Sequence, residues 1–153
     1  MEPARRVARD VPPLWLLVAL VLQLGLHTLA PGGRWLWPPW THLGWLVIAG
    51  GVALTGGAVR RFLRLGTGLR PFMPATTLVV TGAYRWTRNP MYVGLLLVTL
   101  GTAVCLGTWS PAAVPPLFVV FLDRRFVAGE EVFLRARFGQ AFDDYCRRVR
   151  RWL

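Results

Sequence analysis

The 153-residue chain has no lysine: all 18 of its basic residues are arginine, set against 7 acidic residues, for a formal net charge of +11. Charged residues make up 16% of the chain and hydrophobic ones 54%, which excludes a disordered chain and argues against an ordinary water-soluble domain. No internal repeat is visible, so collagen and coiled-coil architectures fall away. Cysteine is scarce. Cys105 lies in an apolar run and Cys146 in a basic tail, a placement that supports neither a disulfide nor a metal site. The only histidines, His27 and His42, are far apart and read as interfacial or packing residues rather than ligands.

What is present is long stretches with no Asp, Glu, Lys or Arg, namely 11–33, 35–59 and 89–122. About 20 apolar residues cross the roughly 30 Å of hydrocarbon in a bilayer. The third stretch would reach about 51 Å as one helix. Its middle, Gly107-Thr108-Trp109-Ser110-Pro111, has turn chemistry, so it reads as a hairpin of two helices. The expectation is a single all-α integral-membrane domain over 1–153 with four transmembrane helices at 14–29, 42–59, 91–106 and 112–122. Pro115 and Pro116 fall in the first turns of the fourth span. A cleaved signal peptide is the alternative for the first span, but Thr28-Leu29-Ala30 lacks the small residue expected three positions before a cut.

The arginines agree with this topology. Arg5, Arg6 and Arg9 precede the first span. Arg60, Arg61, Arg64, Arg70, Arg85 and Arg88 lie in a loop at 60–90. The other eight of that side follow Leu122, and only Arg34 falls elsewhere. The positive-inside rule makes this side cytoplasmic, with both termini inside, and the membrane is read as that of a prokaryotic cell. Trp35, Trp37, Trp40 and Trp109 fall at the opposite boundary, where an aromatic belt belongs. Nucleic-acid binding is the other use of so basic a chain, but these arginines follow the spans.

The ionisable groups therefore gather in two cytoplasmic segments. In the first, Pro90 marks a helix start whose free N–H groups can receive an anion, and Tyr84 and Trp86 offer flat faces. A loop gripping lipid phosphate is an equal reading. In the second, at 123–153, Leu134, Phe138, Phe142, Tyr145, Val149 and Trp152 follow helical steps. That pattern reads as an amphipathic helix on anionic lipid, with Gly139 a candidate break. Glu130 and Glu131 form the one acidic pair near the end of a span. Glu131 and Arg135 have the spacing of a helical ion pair, while carboxylates at a membrane boundary are also a mark of function. Glycines Gly50, Gly51, Gly56 and Gly57 suit close helix packing.

Taken together, the two segments resemble the integral-membrane methyltransferases that include isoprenylcysteine carboxyl methyltransferase and phospholipid N-methyltransferases. The matching residues are Thr77-Leu78-Val79, Gly82, Tyr84 and Arg88-Asn89-Pro90-Met91-Tyr92-Val93-Gly94, then Glu130-Glu131, Leu134, Phe138-Gly139, Tyr145 and Arg148-Val149. The resemblance implies S-adenosylmethionine as methyl donor and a lipophilic acceptor entering from the bilayer. It implies a cofactor pocket formed by the cytoplasmic loop and C-terminal helix, with Thr76, Thr77, Leu78, Val79, Tyr84, Asn89, Pro90, Met91, Tyr92 and Glu130 holding the donor. Arg88, Glu131 and Arg125 become the candidate catalytic residues, and no metal is implied. Asn89 stands where the family usually has His. The family's substrate-facing Arg lies four residues before the first Glu. That position is Phe126 here, so a role for Arg125 needs a shifted helix. The contrasting expectation is a non-enzymatic membrane protein whose basic loops bind anionic lipid.

Overall fold

The computed structural model describes residues 11–64 and 77–153; Thr76 and Arg5, Arg6, Arg9 and Arg70 lie outside the described residues. The described elements are helices: α1 Pro12–Leu29, α2 Leu43–Arg64, α3 Pro90–Leu106, the short α4 Trp109–Ala112, α5 Val114–Leu122, α6 Ala128–Phe138 and α7 Gln140–Arg148. An isolated bridge joins Arg34 to Thr108.

The apolar side chains face outward. On α1, Leu17, Val21 and Leu24 are 57 to 63% exposed, while the polar Gln23 is fully buried. A soluble helix would do the reverse. Gln23 Nε2 donates to the carbonyls of Thr99 (2.9 Å) and Pro111 (3.2 Å), so one amide ties α1 to α3 and α4. Two helical stretches, Pro12–Leu29 and Trp40–Arg64, are long and apolar enough to cross a membrane. The apolar α3 has 17 residues and α5 has 9. The expected fourth span, 112–122, is divided: α4 ends at Ala112 and α5 starts at Val114, with Pro115 in its first turn.

Helices α2 and α3 pack through glycine. A Cβ on Gly51 would meet the carbonyl of Gly94 at 2.6 Å, and one on Gly101 would meet that of Gly44 at 2.6 Å. Gly44 and Gly94 are blocked in turn by the partner helix. In each helix the two glycines are seven apart, which returns them to the same face and lets the backbones touch. Of the four glycines singled out in the sequence only Gly51 takes part, because Gly50, Gly56 and Gly57 face open space.

The two apolar-side connections meet each other. Trp35 N–H donates to the Gly107 carbonyl (3.0 Å), Trp109 N–H to that of Gly33 (3.1 Å), and the Trp35 indole to Thr108 O (3.0 Å). The α1–α2 and α3–α4 turns thus share one end of the bundle. The loop at 77–89 and the tail meet at the other end, where Arg88 N–H donates to the Arg150 carbonyl (2.9 Å).

Between α5 and α6 the backbone widens into a π-turn, Asp123–Val127, in which Ala128 N–H donates to the Asp123 carbonyl. This turn supplies one extra residue, and Phe126 and Val127 inside it are fully buried. The C-terminal segment is not one amphipathic helix. Gly139, at φ 52°, breaks it; α7 ends at Arg148; and Val149 is extended. Phe142 and Tyr145 are 1% and 4% exposed, so this face packs into the protein rather than against lipid.

Candidate active site

The loop after residue 77 is shaped by Gly82, whose φ of 67° starts a 3₁₀ turn over Gly82–Arg85. That turn directs Tyr84 inward, 5% exposed, against Phe62 of α2 with ring centroids 5.5 Å apart. Trp86 points the other way and is 80% exposed, so only one of the two expected aromatic faces belongs to the site. Tyr145 of α7 donates its hydroxyl to the Tyr84 carbonyl at 2.7 Å, fastening α7 over the turn. Thr87 Oγ1 accepts from the Asn89 N–H (3.1 Å), which turns the chain into Pro90 at the start of α3. Asn89 does not cap that helix with its side chain. Its Nδ2 donates instead to the Arg151 carbonyl at 2.9 Å.

These elements enclose a cavity of about 90 Å³. Its lining includes the expected Thr77, Leu78, Val79, Tyr84, Arg88, Asn89, Met91, Tyr92, Glu130 and Glu131. Three expected residues differ. Pro90 is fully buried behind the wall. Thr76 lies outside the described residues. Arg125 is not in the wall; its guanidinium lies 5.8 Å from the centroid of the Phe126 ring, although the π-turn supplies the helix shift its spacing called for. Sequence reading missed Phe62, Leu134, Phe142 and Tyr145 as wall residues. The last three carried a helical-face signal and Phe62 carried none.

The two adjacent carboxylates have opposite surroundings. Glu131, with a side chain 10% exposed, takes Arg88 Nη2 at 2.9 Å and Arg151 Nη2 at 2.5 Å. It does not pair with Arg135, whose Nε reaches Asp143 at 2.8 Å. Glu130 has no ion pair among the described residues; it accepts one hydrogen bond, from the Tyr92 hydroxyl at 2.7 Å. Its carboxyl is raised from 4.5 to about 7, because burial pushes it up by more than the Tyr92 bond lowers it. Burial likewise pushes the Tyr145 hydroxyl up to about 12, against the lowering effect of Arg88. Burial raises Tyr84, helped by Tyr145 and Glu130, so its hydroxyl remains a donor. Two buried donors of wall residues, Tyr84 Oη and Arg88 Nε, have no hydrogen-bond partner among the described residues. Among the described residues the cavity therefore combines a carboxylate without an ion pair and two unused donors.

A chain whose described elements are helices, with an apolar exterior and with Arg88, Glu130 and Glu131 gathered at one cavity, belongs to the intramembrane class of proteins. Within that class, the family model described as phospholipid methyltransferase matches residues 40–141, and the chain belongs to that family. It is 31% identical over 121 residues to protein-S-isoprenylcysteine O-methyltransferase of Rattus norvegicus, covering 74% of this chain and 43% of the rat protein. The corresponding protein of Homo sapiens is 28% identical over 139 residues, covering 80% of this chain and 49% of that one. A solved structure of a eukaryotic intramembrane Ras methyltransferase, isoprenylcysteine carboxyl methyltransferase, superposes with a TM-score of 0.66 at 23% identity, over 92% of this chain and 52% of that one. The chain thus spans about half the length of these relatives.

Proposed function

We propose that this chain is an S-adenosylmethionine-dependent methyltransferase acting on a lipophilic acceptor, a prenylcysteine-like carboxylate or a lipid amine. It lies in the membrane as four crossings with loop 60–90, the C-terminal segment and both termini on the cytoplasmic side. Anionic lipid on that side would meet the exposed arginines. The observation that carries the reading is the contrast within the acidic pair: Glu131 has two guanidinium partners and Glu130 has none among the described residues.

The chemistry of the wall fits the amino-acid end of such a donor. Glu130 is the group to hold an α-ammonium, because burial makes its ionised form costly until a cation arrives. Arg88 Nε and Tyr84 Oη are the unused donors for an α-carboxylate. Phe62 and Tyr92 supply ring faces beside them. When bound, the donor supplies a methyl group already activated by a sulfonium. The residues therefore need only bind, align and exclude water. Tyr92 holds Glu130 in place through its hydroxyl. Arg88, fixed by Glu131 and by the carbonyls of Cys146 and Val149 (3.2 Å each), cannot swing away from the cavity. Ligand pockets usually measure about 300–1,000 Å³, so the wall must part to admit the donor.

The test is saturable binding of methyl-labelled S-adenosylmethionine to purified protein in detergent, followed by incubation with total membrane lipid and mass spectrometry of the labelled product. Glu130→Ala is expected to abolish donor binding. Unchanged binding sinks the assignment, and label found only in water-soluble material sinks the lipophilic acceptor.

A further inference from the structure

The tail after α7 turns back across the site. Every residue of the 87–89 loop is bonded to it. Arg88 N–H donates to the Arg150 carbonyl at 2.9 Å. Thr87 Oγ1 and Asn89 Nδ2 donate to the Arg151 carbonyl at 3.1 and 2.9 Å. Arg88 Nη1 reaches the carbonyls of Cys146 and Val149. A tail of almost any sequence would offer backbone carbonyls to these donors. What fixes this tail is the Arg151 side chain. Its Nε and Nη2 fork onto the two oxygens of Glu131 at 3.1 and 2.5 Å, and its Nη1 reaches Asp123 in the π-turn at 3.3 Å. The next residue, Trp152, adds its indole N–H to Asp123 at 3.1 Å.

The contacts close a ring. Arg88 bonds Glu131, Glu131 bonds Arg151, and the Arg151 backbone bonds back to Thr87 and Asn89 on either side of Arg88. Arg151 itself is not in the cavity wall. We infer that Arg151 is a positioning residue: it straps loop 87–89 to α6 and so sets where Arg88 and Glu131 stand in the cavity. Of the eight arginines after Leu122 it is the one that forks onto Glu131. A fork is what two carboxylates on different elements demand, and a lysine cannot supply it. The consequence for donor binding rests on the functional reading above; the consequence for the loop does not.

The test uses the full chain in lipid nanodiscs with two measurements, hydrogen exchange of the 84–92 segment and affinity for S-adenosylmethionine. Arg151→Gln is expected to speed exchange across 84–92 and to weaken donor binding about ten- to a hundredfold, the range for one lost charge-assisted hydrogen bond. Arg151→Lys is expected to recover part of the affinity. In a Glu131→Gln background, Arg151→Gln is expected to cost little more, because the two act through one contact. Unchanged exchange in Arg151→Gln overturns the inference. Faster exchange with wild-type affinity overturns the positioning role, as does an equal loss in the Glu131→Gln background. If wild-type protein binds no donor, the functional reading falls, and the exchange measurement still decides whether Arg151 sets the loop. Should Arg151→Gln fail to fold, Asp123→Asn loosens the same strap; there, faster exchange supports the inference and unchanged exchange overturns it.

Discussion

Replacing Glu130 with glutamine should stabilise the ligand-free protein and cripple donor binding at the same time. The carboxyl is raised from 4.5 to about 7 by burial. Between those values the unfolded chain releases a proton that the folded one retains, so stability falls as pH rises through the window. Each pH unit across it is worth about 1.4 kcal/mol, which bounds the loss at pH 8 to about 3 kcal/mol. Glutamine has the same shape, keeps an acceptor for the Tyr92 hydroxyl and cannot ionise. Glu130→Gln should therefore match wild type near pH 4.5 and exceed it by up to about 3 kcal/mol at pH 8. Donor binding should move the other way. Wild-type affinity should fall about tenfold per pH unit below about 7, as the proton competes with the ammonium. The variant should lose that dependence together with about ten- to a hundredfold in affinity. The assays are thermal unfolding in detergent and labelled-donor binding, both from pH 5 to 7.5, with a further unfolding scan at pH 8. A variant less stable than wild type at pH 8, or wild-type binding that is flat across this range, would refute the reasoning.

Tyr92→Phe removes the bond that lowers the Glu130 carboxyl, so the acid midpoint of donor binding should move upward in the same pH series. Gly51→Ala places a Cβ 2.6 Å from the Gly94 carbonyl and should lower thermal stability by about 1–3 kcal/mol, while Gly50→Ala, which faces open space, should be neutral. Gln23→Ala removes two buried hydrogen bonds between helices and should cost about 1–3 kcal/mol in the same unfolding assay.

Much of the fold was legible because charge-free stretches and turn residues mark helices directly. The ends of α1 and α3 fall within two residues of the expected spans. The finer packing was not legible. Gly50 and Gly51 are neighbours in sequence but about 100° apart round a helix, and composition does not say which one faces α3. The cavity lies where the motif residues meet: Thr77, Leu78, Val79, Tyr84, Arg88, Asn89, Met91, Tyr92, Glu130 and Glu131 supply most of its wall. Arg151 stayed hidden because eight arginines follow Leu122, and only a tail that turns back after α7 distinguishes one from the rest. The π-turn left one trace, the Arg125 spacing one residue longer than the family's, because nothing in the residue types of Asp123-Arg124-Arg125-Phe126-Val127 signals a widened backbone.

That π-turn sets the rotation of everything that follows it. If 123–127 relaxed to ordinary helix at unchanged length, all that follows would rotate by about 100°. α5 would keep its seat against α1 and α3. Glu130 and Glu131 would turn out of the cavity, and Val132, now 67% exposed, would change direction with them. The π-turn thus acts as a gear: without it the buried rod stays in place but delivers other side chains to the cavity, and removing its one extra residue as well would return the original ones.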